Sequence, residues 1–387
     1  MYTIRPLNHI APKGLARLPE THYRIDAEAD NPDAILVRSY KMHDMELPSN
    51  LVAVGRAGAG VNNIPVDQLT ARGIPVFNAP GANANAVKEL VLAGMLLGAR
   101  NLCQAWDYAR NLTGEDPAVH QAVESGKKQF AGFELPGRTL GVIGLGAIGV
   151  QVANAARTLG MHVIGYDPGI TVDRAWQLSA DVQQAQSLDE LLPRVDFLTL
   201  HVPLSDNTRH LINSERLHAM PDGTILLNFS RSGIVDDDAV AGAVEAGKLR
   251  SYICDFPTNL LKNHPGVITL PHLGASTQEA EENCAVMVAD QVREYLEQGT
   301  VSHSVNFPDI VLPRKGDVRL AVVNANRPNM LGQISHDLGE AGVNIVHMNN
   351  ESQDRIACTL IDVEGDVSDA TLEMIRNTEG VIRARRL

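Results

Sequence analysis

Short runs of consecutive apolar residues, each closed by glycine, proline or asparagine, recur near the start of the chain: Ala34-Ile35-Leu36-Val37, Leu51-Val52-Ala53-Val54 and Ile74-Pro75-Val76-Phe77. Runs of this length without polar alternation suit strands buried on both faces, the environment of a parallel sheet. Between the last two, residues 65–72 carry helical spacing, so the segment reads as a small α/β unit. Residues 86–101 are too continuously apolar for a surface helix and read as a buried one. From residue 137 the alternation resumes, with strands expected at 139–143, 162–166, 196–201, 224–228, 251–254 and 267–270. Helices such as 239–246 lie between some of them, and a longer helix with a mixed face is expected over 276–298. Such repetition predicts a doubly wound sheet. Residues 307–316, with two prolines and a terminal glycine, read as a linker. The pattern then changes: strand 319–323, helix 330–341, strands 344–350 and 356–363, a helix from 368 and a strand at 381–385. That β-α-β-β-α-β order is the ferredoxin-like split motif.

The stretch 137–168 is the most specific in the chain. A β-prone run enters Gly144-Leu145-Gly146-Ala147-Ile148-Gly149, a helical pattern follows, and a second apolar run ends at Asp167. In a dinucleotide site the first glycine allows the tight turn, the second lets backbone approach a pyrophosphate, and the third lets helix pack on strand. The helix N-terminus, at Ala147 and Ile148, offers unpaired N–H groups to phosphate. Asp167 lies 18 residues past Gly149, where a carboxylate takes the adenosine ribose hydroxyls and favours NAD over NADP.

At 387 residues the chain is long enough for two or three domains. Its net charge of −13 argues against nucleic-acid binding as the main activity. No apolar run approaches membrane-spanning length, and residues 1–24 hold no signal-peptide segment. Cys103, Cys254, Cys284 and Cys358 are widely spaced, without metal-type pairing, which suits reduced thiols in a cytoplasmic protein and no metal site.

A nicotinamide site also needs an acid/base and an anchor for an anionic substrate. Arg231, Asp255 and His272 fall in loops after expected strands, at the ligand-binding edge of a doubly wound sheet. For each a structural role competes: Arg231 as a cap on carbonyls, Asp255 as a helix N-cap, His272 as a turn histidine bonded to backbone. His201 reads as a cofactor-side or structural residue rather than a catalyst.

Several segments in order carry a family resemblance: VRS at 37–39, GRAGAGVNN at 55–63, GIPVFNAPGAN at 73–83 and the glycine turn. They continue with HVPLSDNTRHLIN at 201–213, LLNFSRSGIVDDDAV at 226–240, PHLGAST at 271–277 and SVNFP at 304–308. The chain resembles, over essentially its full length, the D-2-hydroxyacid dehydrogenase family, and in particular those members that oxidise 3-phosphoglycerate and carry a C-terminal ACT domain. The resemblance implies an α/β fold in which a doubly wound Rossmann domain (87–279) is inserted in a flavodoxin-like substrate domain (1–86 and 280–307), followed by an ACT-like regulatory domain (317–387). It implies Arg231 and His272 as catalytic residues, and Asp255, His201, Pro203 and Asn83 on the NAD side. Arg38 and Arg56 match positions associated with substrate; two arginines make a phosphate clamp, and the amides from Ala57 and Gly58 round to Gly60 can hold the carboxylate. Asn326 and Asn344 match positions that hold L-serine, and self-association as a dimer or tetramer is expected. One departure concerns the acid that usually pairs with the catalytic histidine: its loop holds Asn259 where a glutamate is expected. The reading is therefore NAD-dependent oxidation of 3-phosphoglycerate in the first step of serine synthesis. Its rivals are reduction of an unphosphorylated 2-keto acid such as glyoxylate or hydroxypyruvate, and a non-catalytic NAD-sensing regulatory role.

Overall fold

The apolar runs of the N-terminal segment become adjacent parallel strands because each is buried on both faces. In the computed structural model, which describes residues 1–387, strands β1 (Tyr2–Leu7), β2 (Tyr23–Ile25), β3 (Ala34–Val37), β4 (Ala53–Arg56) and β5 (Val76–Phe77) form one sheet in the order β2-β1-β3-β4-β5. All their pairings are parallel, the flavodoxin-like arrangement. β3 is buried at every residue. β1 is not visible as an apolar run, since Thr3, Arg5 and Pro6 interrupt it; its place is set by pairing with β2 and β3 on either side.

The helix Gln278–Gln298 returns to this sheet and buries Ala285, Val288 and Val292 against it. Its close approach depends on Gly55, where a Cβ would lie 2.6 Å from Val288 Cγ2. The chain divides into two compact units, and 1–83 with 278–387 form the first of them.

The sequence separates 317–387 from the rest by a linker, and here the structure differs. Phe307, Ile310 and Leu312 are buried, and Val301 bridges Ile310, so the stretch is packed. Its prolines fix backbone angles without preventing the apolar residues between them from burying. Strands β13 (Val318–Ala325), β14 (Ile345–Gln353), β15 (Ile356–Val363) and β16 (Val381–Arg386) form an antiparallel sheet in the order β14-β15-β13-β16, with helices Met330–Glu340 and Asp369–Asn377 packed on one face. This is the split motif expected from the element order. The other face, with Ala321, Val323, Cys358 and Leu360, joins Tyr295, Leu296 and Phe307 in the core of the N-terminal sheet. Polar contacts reinforce that joint: Arg383 Nη1 donates to Leu51 O at 2.7 Å, and Arg385 stacks over the Tyr295 ring.

The second unit, residues 84–277, holds β6 (Thr139–Ile143), β7 (His162–Tyr166), β8 (Gln183–Gln184), β9 (Phe197–Leu200), β10 (Thr224–Asn228), β11 (Leu249–Cys254) and β12 (Val267–Thr269). The sheet is parallel throughout, in the order β12-β11-β10-β9-β6-β7-β8. It is doubly wound, with the strand order reversing between β6 and β9, the place where such sheets bind ligands. Helix Ala84–Arg100 buries Val91, Met95 and Ala99 against this unit's core. Two helices that the pattern does not announce, Leu102–Arg110 and Asp116–Gly126, bury no residue at all. No helix is long and apolar enough to cross a membrane.

Candidate active site

The glycine turn sits at the end of β6, beside the end of β9. Gly144 has φ +90°, and a Cβ there would lie 2.5 Å from His201 O, so turn and β9 loop meet only because this residue is glycine. A Cβ on Gly149 would lie 1.9 Å from Gly144 O, which is the close helix–strand approach in coordinates. Gly146 differs: it is exposed, and a Cβ there meets nothing within 4 Å. Helix Ala147–Thr158 begins immediately afterwards, with Ala147 and Ile148 half-buried and first-turn amides that the helix itself cannot pair.

Asp167 is tied to the same turn. Its Oδ2 accepts from Leu145 N at 2.8 Å and its Oδ1 from Gly169 N at 2.9 Å, so the carboxylate braces the glycine loop and keeps further lone pairs unused. His201 lies across the strand-order reversal. Its Nε2 is 3.1 Å from Thr199 Oγ1, its Nδ1 is buried without a partner, and burial lowers its pKa to about 3, so the ring is neutral at physiological pH. The open space at Gly146, the unpaired helix amides and the orphaned His201 nitrogen together fit a dinucleotide. Pro203 follows on an exposed loop, its carbonyl accepting from Thr208 Oγ1. Asn83 is the last residue of the first unit.

Arg231 and His272 are joined through residues that sequence reasoning passes over or reads differently. Asn228, at the end of β10, donates from Nδ2 to Arg231 O at 3.0 Å and accepts at Oδ1 from Ser230 N, which fixes the arginine loop. Ser230 Oγ donates to Leu200 O, anchoring that loop to β9. Arg231 Nη1 donates to Ser230 O at 2.7 Å, leaving Nε and Nη2 without a protein partner. Asp255 N then donates to Asn228 O, while its buried carboxylate accepts from Leu273 N at 2.8 Å and Gly274 N at 2.9 Å. Asp255 is thus the clamp on the histidine turn. His272 itself is in the left-handed region at φ +56°, exposed, with Phe256 edge-on at 5.3 Å. Asn259 is exposed and makes no hydrogen bond to the ring, and no carboxylate pairs with it.

In the first unit, Arg38 and Arg56 come together at the ends of β3 and β4, because these strands are in register with Val37 opposite Arg56. Arg56 Nε donates to Arg38 O at 3.2 Å, and Arg38 Nη2 pairs with Glu281 Oε1 at 2.6 Å. Of the amides from Ala57 to Gly60 expected to hold a carboxylate, two are already used within the fold: Ala57 N donates to Val37 O and Gly58 N to Arg56 O, both at 2.8 Å. The amides without a backbone partner are those of the half-buried Ala59 and Gly60, one step further round the turn. Gly58 has a different task, since a Cβ there would lie 2.0 Å from Arg56 Nη1. It makes room for the arginine.

The C-terminal sheet separates the two asparagines that the sequence brings together. Asn326 Nδ2 donates to Asp354 O beside the β14–β15 hairpin, whereas Asn344 precedes β14 at its far end and pairs with Glu364. Near Asn326 is a pocket of about 180 Å³ lined among others by Asn324, Arg327, Asn329 and Asn350. Asn324 is 2% exposed and its Oδ1 has no partner.

Residues 94–274 match the family described as D-isomer specific 2-hydroxyacid dehydrogenase, NAD binding domain. Over 355 residues the chain is 36% identical to the D-3-phosphoglycerate dehydrogenase of Haemophilus influenzae, covering 89% of this chain and 83% of that one. The D-3-phosphoglycerate dehydrogenase of Escherichia coli is 34% identical over 350 residues, covering 87% and 82% respectively. A crystal structure of NAD+-bound 3-phosphoglycerate dehydrogenase from Entamoeba histolytica superposes with a TM-score of 0.61 at 24% identity, over 79% of this chain and 98% of that one, a likeness of fold.

Proposed function

The chain belongs to the D-isomer specific 2-hydroxyacid dehydrogenases, and from that premise we propose that it oxidises 3-phosphoglycerate at C2 to 3-phosphooxypyruvate, the first step of serine synthesis. NAD is the cofactor and, when bound, supplies the hydride acceptor. Gly144, Gly146 and Gly149 with the amides of Ala147 and Ile148 hold its pyrophosphate, and Asp167 takes the ribose hydroxyls. Arg231 offers Nε and Nη2 to the substrate carboxylate as a bidentate fork. His272, whose ring nitrogens have no protein partner, takes the C2-hydroxyl proton as general base. In the first unit the amides of Ala59 and Gly60, free of backbone partners, suit an anionic group.

The observation that carries the choice of a phosphorylated substrate is the meeting of Arg38 and Arg56 at the ends of neighbouring strands. Arg38→Ala or Arg56→Ala should raise KM for 3-phosphoglycerate roughly ten- to a hundredfold, the scale of a charged hydrogen bond, and leave an unphosphorylated 2-hydroxy acid little affected. Equal losses on both substrates would instead favour the reading as a general 2-keto acid reductase.

The C-terminal sheet supports a regulatory role. The amide-lined pocket beside Asn326 suits the ammonium and carboxylate of an amino acid, and L-serine, the product of the pathway, is the ligand we assign. Because Asn344 lies at the other end of β14, a site using both asparagines takes one from each of two copies. Self-association also has a surface in the second unit: Trp106 is 63% exposed and Leu102 44% on a helix that buries nothing in its own chain. Four free thiols support a cytoplasmic location.

A further inference from the structure

Arg38 is not waiting in solvent. Its Nη2 is 2.6 Å from Glu281 Oε1, and both side chains are about one third exposed, 33% and 31%. Glu281 stands in the first turn of helix Gln278–Gln298, where the helix dipole favours a negative charge. The contact is a single N–H···O bond, so the other guanidinium N–H groups of Arg38 remain free of Glu281. Arg56 belongs to the same locus. Its side chain reaches the Arg38 carbonyl, and Arg56, Arg38 and Glu281 all act electrostatically on the buried thiol of Cys284, one turn along from Glu281. The cluster therefore carries two positive charges and one resident negative charge.

We propose that Glu281 is a specificity-determining residue, a built-in anion that competes with the substrate phosphate for Arg38. This inference rests on the phosphate-clamp reading above. A phosphate bound at the two arginines meets the Glu281 carboxylate at close range, and like charges sharing a guanidinium repel in a partly buried setting. Each phosphate must therefore displace or tolerate Glu281. The consequence differs between ligands. A substrate whose carboxylate is also anchored, at the amides of Ala59 and Gly60, withstands the competition, whereas inorganic phosphate or sulfate has no second anchor. Glu281 thus sets a threshold that keeps small free anions from occupying the clamp. Its presence also gives Arg38 a partner when no substrate is bound, instead of leaving two arginines to repel each other.

The test uses the full-length enzyme with inorganic phosphate as competitive inhibitor and 3-phosphoglycerate as substrate, in the wild type, Glu281→Gln, Arg38→Ala and the double variant. Glu281→Gln should lower both the phosphate Ki and the KM for 3-phosphoglycerate, by roughly three- to tenfold for a pair exposed to this degree, with kcat moving much less. A gain of affinity is not what general structural damage produces. In the Arg38→Ala background the same change should have little effect, because the competitor has lost its object. A higher Ki and KM in Glu281→Gln would overturn the proposal and make Glu281 an orienting partner of Arg38. A gain that persists undiminished without Arg38 would overturn it as well, reducing the effect to bulk charge. If Arg38→Ala and Arg56→Ala each leave the phosphate Ki unchanged, the clamp itself is refuted, and the competition with it. That outcome is read from the single arginine variants and is distinct from the other two.

Discussion

Asp255 commits both carboxylate oxygens to the backbone of the turn that carries His272. An asparagine there keeps one acceptor and turns an N–H toward an N–H, leaving a buried donor unpaired at a cost of about 1–3 kcal/mol. His272 itself sits in the left-handed region at φ +56°, uncommon for a residue other than glycine. Asp255→Asn should lower kcat by on the order of ten- to a hundredfold, and adding His272→Ala should cost far less than it does in the wild type, because the two act as one unit. Fully additive losses in the four-variant cycle would show that Asp255 works independently of the histidine. His201 gives a prediction of another kind. Burial holds its folded-state pKa near 3, below the ordinary value of about 6.5, so between these values the unfolded chain binds a proton that the folded one refuses. Stability should fall as pH drops below about 6.5, and His201→Gln should flatten that slope in urea titrations at stepped pH. At this scale the positions of Arg231, His272 and Arg38 after strands, and of Arg56 at the end of one, were legible because the strands themselves are recognisable. Their partners were not, since the bonds among Asn228, Asp255 and Gly274 join strand ends far apart in sequence. Within the run from Ala57 to Gly60, that the first two amides are already bonded was not legible for a related reason: whether a turn N–H is free depends on its neighbours in the fold.

The glycine turn shows that one motif can hold residues with different tasks. Gly149→Ala places a methyl 1.9 Å from Gly144 O, so helix Ala147–Thr158 must move off the sheet, and both stability and NAD binding should fall. Gly146→Ala meets nothing within 4 Å and should melt close to the wild type, yet it fills the space where a pyrophosphate approaches the backbone. Thermal melts with and without NAD distinguish the two. A large loss of stability in Gly146→Ala, or unchanged NAD binding there, would contradict this division. The strands β3, β6, β7, β9 and β10 were legible because buried parallel strands are uninterrupted apolar runs. β1, broken by Thr3, Arg5 and Pro6, was not, nor were helices Leu102–Arg110 and Asp116–Gly126, in which no residue is fully buried. The stretch 307–316 was read as a linker from its prolines, whereas Phe307, Ile310 and Leu312 decide its fate by burying.

On the scale of the whole molecule, the C-terminal sheet is fastened to the N-terminal one by a shared core and a buried ion pair. Arg319 donates to Asp362 through Nε at 2.6 Å and Nη2 at 2.8 Å, and its Nη1 reaches Gln298 O at the end of the long helix. Burial pushes the Asp362 carboxyl up, but hydrogen bonds from Arg319 and the Lys315 amide, with the Arg319 charge, outweigh it and hold the group below its usual range. Its contribution is therefore present above about pH 4, the unfolded value, and lost as pH falls through the folded one. Removing one partner, as in Asp362→Asn, leaves a buried arginine uncompensated and should cost about 3–5 kcal/mol, whereas Arg319→Met with Asp362→Leu should recover most of it. Denaturant melts of the three proteins would check this, and equal stability of the single and double variants would refute it. The most direct test of the whole account is single-turnover formation of NADH from NAD and 3-phosphoglycerate, followed in the wild type and in His272→Ala. The account predicts NADH in the wild type, and in His272→Ala undiminished NAD binding with turnover slower by at least about a hundredfold. No NADH in the wild type, or wild-type rates in His272→Ala, would contradict it.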